Sequence, residues 1–172
     1  MVEPVVDADA IAHGTAAAPA TTRSLVAIFA SPVAEYLLRY GRDVGFRPVL
    51  IEPDPARAKA VEGIEVVANM ADAKSDQDTD VVMTDHHRDE LGEFLRDALG
   101  VPTRWIGLMG NPRHPGPHLD ALAALGVAQA EIDRIHRPIG LNIGSRRPAE
   151  IAISTLAGLL ADRNDRPGGF DF

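Results

Sequence analysis

From Ser24 onward the chain alternates between short apolar runs and segments whose apolar residues recur at helical spacing. Leu25-Val26-Ala27-Ile28-Phe29-Ala30 carries no charge, the pattern of a strand buried on both faces. Ser31 then starts a helix. Its hydroxyl can accept a hydrogen bond from a free N–H of the first turn, and Pro32 suits the first helical position because its missing N–H would have had no partner there. Val33, Tyr36, Leu37 and Tyr40 follow at i, i+3, i+4 and i+7, and Gly41 is expected to end the helix.

Residues 47–51 form a second predicted strand, which runs into Glu52-Pro53-Asp54-Pro55, where closely spaced prolines force the chain out of a sheet. Residues 64–68 read as a third strand and 80–84 as a fourth, ending at Asp85-His86-His87. Leu91, Phe94, Leu95, Ala98 and Leu99 trace a helix face stopped by Gly100 and Pro102. A fifth strand over 104–109 delivers the chain to Gly110-Asn111-Pro112-Arg113. Short helices are predicted over 117–125 and 128–136, a glycine-rich turning loop over 138–145, and a last helix from Pro148 to about Asp162.

Strands alternating with helices at this spacing predict an α/β fold of Rossmann type, a three-layer α/β/α arrangement around a mainly parallel sheet. Ligands in such sheets bind beyond the carboxyl ends of the strands. Ser31, Glu52, Thr84-Asp85-His86-His87 and Gly110-Asn111 should therefore lie along one edge. The domain is expected over 23–163, between flexible tails at 1–22 and 164–172.

Composition narrows the function. Of 172 residues 25 are acidic and 17 basic, a net charge of -8, and no run of lysine and arginine could neutralise consecutive phosphates, which argues against nucleic acid. Lys59 and Lys74 are the only lysines, so nearly all the positive charge is arginine. Without cysteine there is no disulfide framework and no thiolate chemistry. The first residues lack the basic start and apolar stretch of a secretory signal, and no segment approaches the ~20 apolar residues of a membrane span, so a cytoplasmic protein is expected.

Four segments together resemble the Rossmann domain of the xanthine dehydrogenase accessory proteins, the XdhC/CoxI family. They are Val81-Val82-Met83-Thr84-Asp85-His86-His87, Trp105-Ile106-Gly107-Leu108-Met109-Gly110-Asn111-Pro112-Arg113, His136-Arg137-Pro138-Ile139-Gly140-Leu141-Asn142-Ile143-Gly144 and Pro148-Ala149-Glu150-Ile151-Ala152-Ile153-Ser154. The resemblance implies an accessory protein that holds molybdopterin cofactor and helps a molybdenum hydroxylase apoenzyme mature, and that associates as a homodimer. Full-length members carry a further N-terminal domain, so the resemblance implies a stand-alone Rossmann module here. The chain departs from the family at the edge itself. Phe29-Ala30-Ser31-Pro32-Val33-Ala34 stands in place of G-A-G-H-V-G, Thr84-Asp85-His86-His87 in place of T-H-D-H, and Gly110-Asn111-Pro112-Arg113 in place of G-S-R-R.

The candidate cofactor-binding residues are Ala30, Ser31, Pro32, Val33, Glu52, Asp54, Thr84, Asp85, His86, His87, Gly110 and Asn111, and the candidate ligand is NAD(P) or molybdopterin. Phe29 cannot adopt the positive φ of a glycine without strain. Glu52 lies about 20 residues beyond the first turn, where a Rossmann acid bonds ribose hydroxyls; alternatively it is a solvated acid capping a loop, with Asp54 as the weaker ribose candidate. Asn142 and Ser145 fit either a crevice lining or turn chemistry, and His136 fits either a ligand contact or the end of a helix. Adjacent Asp85, His86 and His87 diverge, and Pro115, Gly116 and Pro117 separate His114 from His118, so no metal site is expected. With no nucleophile triad or carboxylate pair in view, an accessory binding role is favoured over an NAD(P)-dependent oxidoreductase or a degenerate protein-interaction domain.

Overall fold

The computed structural model describes residues 7–17, 23–59, 61–111 and 113–169. Six strands, β1 (Ser24–Ile28), β2 (Arg47–Ile51), β3 (Glu65–Val67), β4 (Thr79–Met83), β5 (Trp105–Leu108) and β6 (Ile135–His136), form one sheet in the order β3-β2-β1-β4-β5-β6, every pair parallel. The helices are α1 (Ala8–Ala12), α2 (Pro32–Asp43), α3 (Leu91–Leu99), α4 (Pro117–Ala124), α5 (Gln129–Ile132) and α6 (Pro148–Arg163). The expected tails at 1–22 and 164–172 fall partly outside the described residues, at 1–6, 18–22 and 170–172; α1, inside the first, buries none of its residues.

β1 and β4 are buried along their whole length because both sheet faces are covered. Side chains alternate between the faces. Val26, Ile28, Val81 and Met83 pack with Leu91 and Leu95 of α3, whereas Leu25, Ala27 and Val82 pack with Leu37 of α2 and Leu156 of α6. This is the three-layer architecture that the alternation of patterns predicts. None of the described helices is long and apolar enough to cross a membrane.

Two expected boundaries are corrected. Gly41 does not end α2; it lies inside the helix, where an added Cβ would come within 2.6 Å of the Leu25 side chain, so the glycine serves the close approach of α2 to β1. The helix expected over 128–136 is the short α5 followed by β6. Ile135 and His136 pair with Ile106 and Gly107 of β5, and that tertiary pairing overrides a spacing that fits a helix equally well. His136 is thus on an edge strand, its ring stacked on Trp105 at 5.2 Å, and not at a helix end.

At the amino end of β4, Asp80 is fully buried between two arginines. Arg104 Nε donates to one carboxylate oxygen at 2.6 Å and Arg163 Nε to the other at 2.5 Å, tying the end of α6 to the sheet. An uncharged amide would remove the one buried carboxylate shared by both guanidiniums, leaving Arg163 with the half-exposed Asp78 at 2.7 Å and Arg104 with Asp162 at 3.5 Å. Asp80→Asn is expected to cost about 3 kcal/mol in urea denaturation, and a loss within 0.5 kcal/mol of zero, roughly the scale of an exposed pair, would contradict the arrangement.

Candidate functional site

The strand order places a topological switch point between β1 and β4, the position at which open α/β sheets offer a crevice. Register aligns the carboxyl ends: Ile28 lies opposite both Ile51 and Met83, and Met83 opposite Leu108. The residues that follow these four strands therefore share one edge, and they include all the candidates at 30–33, 52–54, 84–87 and 110–111.

The turn from β1 into α2 is built with side chains where glycines would be usual. Ser31 is extended (φ -154°, ψ 161°), its hydroxyl oxygen accepts the Ala34 N–H at 3.0 Å, and Pro32 occupies the first helical turn, as its sequence suggests. Phe29 adopts φ 73°, the left-handed conformation that costs a side-chain-bearing residue about 1–2 kcal/mol. Its ring is fully buried, meets Phe94 edge-on at 5.2 Å and lies 4.4 Å beneath the Arg88 guanidinium. Burial of an aromatic ring is worth about 1.5–3 kcal/mol before these oriented contacts, which offsets the backbone strain.

Glu52 closes the same turn from below. One carboxylate oxygen accepts the Ala30 N–H at 2.8 Å and Arg88 Nη1 at 3.1 Å; the other accepts the Asp54 N–H at 3.0 Å and Arg88 Nη2 at 3.2 Å. Its side chain is fully buried, so it is neither the solvated loop acid nor, in this arrangement, an open hook for ribose hydroxyls. Arg88 also binds Glu90 at 3.0 Å, and the hydrogen bonds to Glu90 and then Glu52 raise its pKa above the usual arginine value. Asp54 accepts the Ala56 N–H and approaches Arg57 at 3.5 Å.

The remaining candidates divide between scaffold and rim. Thr84 is buried, with its hydroxyl 2.9 Å from the Ile28 carbonyl and 2.7 Å from that of Phe29, either of which it can donate to. Asp85 accepts the His87 N–H at 2.9 Å, and the His86 and His87 rings lie 4.1 Å apart. Asn111 accepts the Arg113 N–H through its side chain and Arg137 Nη2 through its carbonyl at 2.8 Å; Pro112, between them, lies outside the described residues. Arg137 also reaches the His114 carbonyl, and a Cβ on Gly110 would approach its Nε to 2.9 Å, so that glycine makes room for the guanidinium. Asn142 is exposed and Ser145 half-buried on the turning loop.

A cavity of about 340 Å³ opens beside Ala30 and Ser31. It lies between α2 and the connection from β2 to β3, which carries turns and no helix among its described residues. Ala34, Leu38, Leu50, Val61 and Ile64 make it largely apolar, and Arg57 and Lys59 reach it from the connection. Neither Arg57 nor Arg88 stands out in the sequence. Arg88 directly follows the three polar residues at the end of β4, the one local signal that could have marked it.

A model of the XdhC Rossmann domain matches residues 25–159. This chain belongs to the XdhC Rossmann domain family. Over 77 residues the XdhC domain is 43% identical to the uncharacterized protein YqeB of Escherichia coli (strain K12), a match covering 45% of this chain and 14% of that protein. Its fold is similar to the crystal structure of a Bacillus halodurans protein described as a xanthine dehydrogenase (BH1974), with a TM-score of 0.68 at 24% identity over 84% of this chain and 45% of the other. The XdhC domain thus spans less than half the length of either relative.

Two expectations follow from the site's construction. Phe29→Gly would relieve the left-handed strain of about 1–2 kcal/mol but empty a ring site worth about 3–5 kcal/mol, so a net loss of about 2 kcal/mol in chemical denaturation is expected, and stabilisation would refute the balance drawn here. The second concerns pH. Burial, and then Arg137, holds the His118 imidazole below its ordinary value, and burial, His87 and Arg137 do the same to His86. The unfolded chain therefore takes up protons first as pH falls through about 6.5, so this contribution to stability is intact above that value and lost below it. The melting temperature should drop between about pH 7.5 and 5.5, and drop less in His118→Gln; an identical drop in the variant would contradict the assignment.

Proposed function

We propose that this XdhC domain binds a dinucleotide or molybdopterin-type cofactor at the β1/β4 crevice and assists the maturation of a molybdenum hydroxylase of the xanthine or carbon monoxide dehydrogenase type. The observation that carries the reading is that the segments following β1, β2, β4 and β5 share the carboxyl edge at the switch point, the first of them bordering a cavity of about 340 Å³, within the range typical of small-molecule sites. The domain acts as a binding accessory, with chemistry left to its client.

The donor set supports an anionic ligand of reduced reach. Glu52 takes the Ala30 N–H and the Ser31 hydroxyl oxygen takes that of Ala34, while Pro32 has none. Among the described residues the Ser31 and Val33 N–H groups remain for a ligand at the start of α2, where the helix's partial positive charge favours an anion. NAD(P) and molybdopterin both carry phosphate, the kind of group such a position favours.

Calorimetric titration with NAD, NADP and molybdopterin tests the binding half. Saturable binding of at least one is expected, weakened about tenfold or more by Ala30→Trp, which places a bulky ring at the cavity mouth. Addition of the protein to a cofactor-free molybdenum hydroxylase together with molybdopterin should raise the recovered hydroxylase activity. Absence of both binding and recovery would overturn the proposal, as would turnover of NAD(P) with a reducible substrate.

A further inference from the structure

An acid holds a ribose diol only if its carboxylate oxygens can accept from the hydroxyls. The two oxygens of a carboxylate offer about four acceptor sites between them. In Glu52 these are in use: Oε2 accepts the Ala30 N–H and Arg88 Nη1, and Oε1 accepts the Asp54 N–H and Arg88 Nη2. The side chain is also fully buried, so a ligand could reach it only by displacing a neighbour. Two of its partners are backbone amides that any sequence would supply. Arg88 is therefore the partner whose identity decides whether the acid is available.

That arginine is firmly held. Its Nε and Nη2 also donate to Glu90, at 3.2 and 3.0 Å, and its guanidinium lies 4.4 Å from the centre of the Phe29 ring. Two-point contacts between guanidinium and carboxylate are about twice as strong as neutral hydrogen bonds, and moving Arg88 aside would leave the Glu52 charge out of water without a counter-ion. Asp54, the other acid after β2, accepts the Ala56 N–H at 2.9 Å and lies 3.5 Å from Arg57. What the edge keeps for a ligand, among the described residues, is donors: the Ser31 and Val33 N–H groups at the start of α2.

We propose that Arg88 is a specificity-determining residue of the crevice: by occupying Glu52 it withdraws the diol contact, so a ligand is recognised through its anionic group and without regard to ribose hydroxyls. The inference rests on the cofactor-binding reading above and names the chemistry that is read there. A nucleotide in this site is held by its phosphates alone, and molybdopterin, which has no ribose, forgoes no contact by comparison.

ADP and 2′,3′-dideoxyadenosine diphosphate, which differ only in the diol, are titrated into the wild-type chain, Arg88→Ala and Arg88→Lys, with melting curves to confirm folding. Arg88→Ala leaves a buried carboxylate unpaired; Arg88→Lys keeps a cation there without the two-point fork, and so preserves the fold where the first variant does not. In the wild type the two probes are expected to bind within about twofold of each other, whereas a working diol contact is worth about tenfold or more. The preference for ADP should rise to about tenfold in Arg88→Ala and about threefold in Arg88→Lys. A preference of about tenfold already present in the wild type overturns the proposal. So does a ratio unchanged in the folded variants, or an absence of ADP binding in wild type and variants alike. In each of these cases binding of molybdopterin keeps the cofactor-binding reading in place. Failure of molybdopterin, NAD and NADP to bind as well overturns both.

Discussion

A carboxylate removed from water is tolerated only where its charge and its lone pairs are answered, and in this domain Glu52 is answered by Arg88 and two backbone amides. The contact joins three places distant in the chain: the turn after β1, the loop after β2 and the loop after β4. Because Arg88 also covers the ring of Phe29, the same guanidinium supports a left-handed backbone that glycine would otherwise supply. The left-handed phenylalanine in the first turn and the internal pairing of the acid are two sides of one arrangement. Where a glycine would reach this conformation freely, a set of side-chain contacts holds it here.

Much of the fold was legible because local chemistry and tertiary packing agree. Buried strands read as uncharged runs, and the Ser31-Pro32 helix start follows from the donors and acceptors of two adjacent residues. Disagreements arise where a distant neighbour decides. Gly41 looks like a stop signal, yet Leu25 requires a glycine within the helix. Ile132 and Ile135 have helical spacing, yet the free edge of β5 captures Ile135 for the sheet. Neither neighbour can be inferred from the residues beside it.

The candidate edge was legible for a topological reason, since residues that follow parallel strands must emerge on one side. The roles of individual side chains were not. Glu52 carries the spacing of a ribose-binding acid, and only the position of Arg88 shows that both of its oxygens are taken. Thr84 similarly turns inward to the carbonyls of the first turn. The cavity beside α2 borders a connection from β2 to β3 whose described residues form turns and no helix. A sequence pattern shows where a helix is absent but not the volume left behind, so Arg57 and Lys59 gave no sign of facing one.

The sheet's outer strands are minimal: β3 has three residues and β6 two, while β1, β2 and β4 between them have five each. A foreign backbone seeking to extend the sheet would find at either flank too few amide and carbonyl groups to template a ladder. Assembly by strand addition is thereby discouraged. Backbone pairing with another chain is therefore a poor route to contact, and what the domain offers a neighbour is the side chains of its helix surfaces and loops.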